Sequence, residues 1–146
     1  MRLKLSILAA GFVGAILLVP AAVAAGPVDA ISADAAKIQA DVQAAHDAIL
    51  ADVHSALGEV AKGKDNKEAI KAALRELRSD LRSAHETLRA DRHQLRTDLV
   101  AARDEHVAKD QIKPILQHLR DSVKPLTSEV RDALGDLRDA LKGLRR

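Results

Sequence analysis

The chain has no cysteine, tryptophan or tyrosine, and only one phenylalanine and one methionine in 146 residues. Without cysteine there is no disulfide framework, thiolate nucleophile or thiolate metal ligand. Phe12, the only residue of the Phe, Tyr and Trp class, lies in an apolar N-terminal stretch, so the rest of the chain has none of these three. That excludes base stacking, sugar stacking and aromatic cages for cations. A surplus of one charge is also missing. If the N-terminal stretch is removed, Arg2 and Lys4 go with it, and the 23 Lys and Arg fall to equal the 21 Asp and Glu. A near-neutral body carries no basic nucleic-acid footprint, and nucleic acid is not an expected partner.

What is present begins with that N-terminus. Met1-Arg2-Leu3-Lys4 is a short basic start, and the run from Leu5 to Val19 is apolar and uncharged. Pro20 breaks it, and Ala22-Val23-Ala24 fits a small-residue cleavage site. Basic, apolar and small-residue regions in that order are the layout of a secretory signal peptide. The expectation is a signal over residues 1–25, cleaved near Ala24 or Ala25, with a single helical domain over residues 26–146 in the periplasm or outside the cell. The competing reading is an uncleaved anchor, for which the apolar run is shorter than the ~20 residues a spanning helix needs.

Beyond the signal, apolar residues recur at steps of three and four, with no strand-like alternation. The fold class expected is all-α: elongated amphipathic helices forming a hairpin, a bundle or a coiled-coil-like dimer. The first helix is placed at about 32–61, with Ser32 as N-cap and a seam from Ile31 through Ala35, Ile38, Val42, Ala45, Ile49, Val53 and Leu57 to Val60. Gly63 suits a left-handed C-cap, and Asp65 with Glu68 suggests a capping box for a second helix at about 66–108. Its Leu74, Leu77, Leu81, Ala84, Leu88 and Leu95 follow a heptad. Pro114 and Pro125 divide the remainder, giving a short helix at about 114–123 and a last one at about 127–143 capped by Thr127.

A repeat is embedded in the first two helices. "DVQAAHDAILADVH" (Asp41 to His54) aligns without gaps on "DLRSAHETLRADRH" (Asp80 to His93), and a fainter third copy runs from Asp98 to His106. Duplication of a helical unit is the economical reading. His46 and His85 take the same flanking position beside the seam, and His54 and His93 the same outward position. Asp52 and Asp91 fall where an apolar residue is expected, and read as register-setting polar breaks.

Histidines eight residues apart on one helix stand about 12 Å apart and cannot share an ion. A hairpin turning near Lys64, however, brings His46 and His85 to nearly the same level. With Asp47 and Glu86 beside them, these two are the candidate transition-metal or proton-sensing pair; otherwise they are ordinary flank histidines. No other cofactor is expected. No nucleophile motif, glycine-rich phosphate loop or strand-end scaffold is present, so the chain does not read as an enzyme.

"PLTSEV" (Pro125 to Val130) and the looser Ile31-Ser32-Ala33-Asp34-Ala35, together with the charged "LR"-rich helices, resemble the Spy/CpxP group of periplasmic proteins and its zinc-resistance relatives. That group carries L-T-x-x-Q motifs at helix starts; Val130 stands here in place of the glutamine. The resemblance implies an ATP-independent chaperone, or a stress- and metal-responsive factor, acting as a homodimer on unfolded or partner proteins. Leu74, Leu81, Arg82 and Leu88 are the candidate client surface. A metal-responsive protein using His46 and His85 is the second expectation. A structural coiled coil or lipid-surface protein is the third, disfavoured by the near-neutral charge.

Overall fold

The computed structural model describes residues 26–144, and the expected signal segment lies outside them. Among the described residues there are three long helices and no strand: α1 (Pro27–Ala61), α2 (Lys67–Asp104) and α3 (Lys109–Gly143). The fold is an all-α bundle. No helix among the described residues is long and apolar enough to cross a membrane.

α1 starts earlier than Ser32. Pro27 occupies the first helical position, where its fixed φ suits a helix and its missing N–H is no loss. Asp29 Oδ2 accepts from the Gly26 N–H at 3.3 Å, so Ser32 lies inside the helix rather than at its cap. The buried stripe of α1 is Ile31, Ala35, Ile38, Val42, His46, Ile49, Val53, Ala56 and Val60. It is wider than a single seam because α1 is the central element. It packs on α2 along one flank and on α3 along the other, while the backbones of α2 and α3 stay apart.

The turn after α1 forms at Gly63, whose φ of 95° is a conformation only glycine adopts cheaply. Lys64–Asn66 make one 3-10 turn. The capping box expected from Asp65 and Glu68 does not form. Asn66 stands at the start of α2 and turns its Nδ2 back to the Glu59 carbonyl (3.2 Å) and the Glu59 carboxylate, while Glu68 takes Lys71 at 2.7 Å. The amide therefore ties the hairpin closed instead of capping a helix.

α2 ends at Asp104, four residues before its expected end. His106 adopts φ 59°, and the N–H groups of His106 and Val107 bond back to the carbonyls of Arg103 (3.1 Å) and Ala102 (2.9 Å). That is a left-handed helix stop, here without glycine. The chain then reverses into α3, which runs parallel to α1 and is continuous. Pro114 and Pro125 lie inside it and do not divide it. Each removes one N–H, from the bonds to the carbonyls of Asp110 and Asp121. Both prolines and both aspartates face solvent, so water satisfies what the helix loses. Thr127 is no N-cap: its Oγ1 donates to the carbonyls of Lys124 (2.9 Å) and Val123 (3.3 Å).

The two ends of the bundle differ. Near the Gly63 turn all three helices share one core: Ile49, Val53, Ala56 and Val60 of α1, Ile70, Ala73 and Leu77 of α2, and Leu137 of α3. Leu137 is the one residue of α3 that is buried. At the opposite end, Ile112, Ile115, Leu116, Leu119, Val123 and Leu126 of α3 are only half-buried.

Candidate functional site

The duplicated segments meet antiparallel across the α1–α2 seam. Asp41, Ala44, Ala45 and Ala48 face Asp80, Ser83, Ala84 and Thr87 around a cleft of about 250 Å³. Each α2 residue of this set stands 39 positions after its α1 counterpart. Equivalent residues of the two copies thus build one two-fold symmetric cleft, with an aspartate at either end. Asp52 reaches Asp80 at one end, and Asp91 stands by Asp41 at the other.

One position breaks the symmetry. Lys37 of α1 bridges Asp41 (2.7 Å) and Asp91, and those carboxylates push its pKa up to about 12. The equivalent residue of α2, 39 positions on, is Glu76. There it adds a third acid to Asp52 and Asp80. Burial first, then the charges of Asp80 and Glu76, hold Asp52 above the usual carboxylate range. Its Oδ2 is shut from solvent without a hydrogen-bond partner. Further along the seam Asp34 meets Asp98, with the same orphaned Oδ2 and a pKa raised by burial and then by Asp98. Asp91 is buried as a polar break in the seam should be, and its Oδ1 takes Lys37.

His46 and His85 are equivalent in sequence but not in surroundings. α3 covers the flank of α1, so His46 is buried, with Nδ1 2.8 Å from Asp47 Oδ1 and Nε2 3.0 Å from Glu129 Oε2. The two carboxylates hold its pKa above the ordinary histidine value, the hydrogen bond to Asp47 being the largest cause and that to Glu129 the next. His85 is exposed and lines a surface depression with Leu88, Arg89 and Arg92. With both ring nitrogens of His46 taken by carboxylates, the pair does not form a common ligand set. Among the described residues no three His, Asp or Glu side chains converge to hold a metal ion. Sequence reasoning missed Glu129 as the partner of His46, because nothing local shows that α3 lies on that flank.

The expected client surface is divided by the packing. Leu74 and Leu81 lean on the three-helix core, Leu88 lies half-buried at the edge of the His85 depression, and Arg82 is exposed. The larger concavity is elsewhere, at the open end. Where α2 and α3 diverge, a groove of about 700 Å³ is floored by Leu99, Val107, Ile112 and Leu116. Its edges are Arg103, His106, Lys109, Lys113, Gln117 and Arg120, and no carboxylate lines it. The left-handed stop at His106 makes the bend that sets these two helices apart. Sequence offered a partial signal for the site, since Ile112 and Leu116 stand one turn apart on α3 between basic residues. No family model matches the chain, and no curated protein or solved structure is detectably similar to it.

Proposed function

We propose that this chain is an exported helical binding protein, a non-enzymatic, ATP-independent chaperone or stress accessory. It holds apolar side chains of unfolded or partner proteins weakly in the groove between α2 and α3. The observation that carries this reading is the open end of the bundle. A concave floor of four aliphatic side chains lies between two helices that do not close over it. A groove of this size falls within the roughly 300–1,000 Å³ of typical binding sites. The secretory layout of residues 1–25 supports export, and the charged edges would keep a captured segment soluble.

The test is aggregation of a model client, followed by light scattering with the protein in several-fold molar excess. Wild-type protein suppresses scattering, and Ile112→Ser with Leu116→Ser loses most of that suppression while far-UV circular dichroism stays helical. Absence of suppression by the wild type overturns the reading, as does full suppression by the double variant.

A further inference from the structure

The composition of the groove is more selective than general stickiness requires. Its four aliphatic floor residues are matched by four permanent cations, Arg103, Lys109, Lys113 and Arg120, with no acid among the lining residues. In a body with balanced charge that segregation is local. Among the described residues the lysine ion pairs engage Lys37, Lys62, Lys71 and Lys142, so the four groove cations, like the other lysines and arginines, carry no carboxylate partner. Asp104, Glu105 and Asp110 are neighbours in sequence but are exposed and do not line the groove.

The floor also has little to offer a polypeptide backbone. Gln117 and His106 are the uncharged hydrogen-bonding side chains present, and His106 Nδ1 already lies 3.3 Å from the Arg103 carbonyl. A peptide resting apolar side chains on the floor gains no backbone hydrogen bonds there, whereas an alkyl chain needs none. The floor is purely aliphatic, which suits methylene groups. The lining stripe of α3, from Lys109 to Arg120, rises about 16 Å at 1.5 Å per residue. That is close to the length of an extended dodecyl chain.

We infer that the groove is a binding site for a single-chain anionic amphiphile of the long-chain carboxylate class, its alkyl chain on the aliphatic floor and its head among the edge cations. This shares with the proposed function the premise that the groove is the binding face, and makes the amphiphile a competitor of client segments.

Isothermal titration at low salt tests it, with dodecanoate below its micelle concentration against dodecyltrimethylammonium, which has a chain of equal length and the opposite charge. Dodecanoate binds at least about tenfold more tightly, because like charges at the edge repel the ammonium head. Lys113→Glu with Arg120→Glu weakens dodecanoate at least about tenfold and narrows or reverses the preference, while Lys71→Glu, outside the groove, leaves both unchanged. Circular dichroism confirms that each variant remains helical. Equal binding of the two amphiphiles overturns the inference, and so does indifference to the double variant. Binding to phosphatidylglycerol vesicles without binding of monomeric dodecanoate overturns it in favour of a membrane surface. Client suppression without dodecanoate binding removes this inference alone. Dodecanoate binding without client suppression removes the chaperone reading alone.

Discussion

Replacing Glu76 by lysine restores the symmetry that the duplicated seam has lost. At one end of the cleft Lys37 neutralises Asp41 and Asp91; at the other, Glu76 faces Asp52 and Asp80 with no cation. Glu76→Lys removes one repelling charge and supplies an attracting one in the same step. Exposed ion pairs contribute about 0.2–1 kcal/mol, and loss of the repulsion that Glu76 exerts on Asp52 adds to the pair itself, so a gain of about 1 kcal/mol is expected. For a helical body of this size that corresponds to a rise in Tm of about 3–5 °C. Thermal unfolding followed by far-UV circular dichroism at pH 7 and low salt reads it. The gain shrinks as salt screens the seam, and shrinks in acid as the carboxylates take up protons. The reciprocal Lys37→Glu lowers Tm under the same conditions. The reasoning fails if Glu76→Lys leaves Tm unchanged at low salt, or if its gain is insensitive to both salt and pH.

Two further predictions follow from the same geometry. The pKa values of Asp34, Asp52 and His46 are all raised in the folded chain, so at these groups the folded state binds more protons than the unfolded one. The lowered carboxylates of Asp41, Asp47, Glu59, Glu68 and Asp139 act in the opposite sense, at pH below about 5. The stabilisation from the raised groups is present below the ordinary carboxylate and histidine values and is lost as pH rises through the raised ones. Urea midpoints are therefore higher at pH 5 than at pH 8, and His46→Gln removes the part of that difference lying above pH 6.5; a higher midpoint at pH 8 would contradict the assignment. Leu137→Ala removes the one buried side chain of α3 and costs about 3 kcal/mol, typical of a large-to-small core change. Urea unfolding measures it, and a loss below about 1 kcal/mol would mean that α3 is not held by this contact.

The sequence carries the helical stripes, the hairpin turn and its register plainly. Ile31, Ile38, Val42, Ile49 and Val53 repeat at helical spacing, and Gly63 is the residue that tolerates the positive φ the turn requires. The polar breaks at Asp52 and Asp91 were legible for the same reason, as exceptions to a regular pattern. What was not legible depends on where α3 lies. Proline disfavours helix on average, but Pro114 and Pro125 sit on the solvent face of a helix whose opposite face is docked, and the docking outweighs the lost bonds. Two histidines at the same repeat position look alike until α3 covers one and leaves the other in water. The end of α2 was hidden because histidine, not glycine, takes the left-handed position at 106. The groove is tertiary: its floor comes from two helices and the bend between them, and each contributes a stripe that reads locally as ordinary packing.

Because α1 alone holds both other helices, the topology predicts a folding order. The α1–α2 hairpin closes outward from a short turn, its first cross-link joining Glu59 and Asn66, seven positions apart. α3 runs parallel to α1, and its bridge from Glu129 to His46 spans 83 positions. Loop closure over that distance is entropically dearer and contributes the long-range share of the contact order. The hairpin therefore forms early and α3 docks last. Until it does, the flank of α1 around His46 and the apolar face of α3 stand open together, and a newly made chain is most vulnerable to wrong partners in that interval.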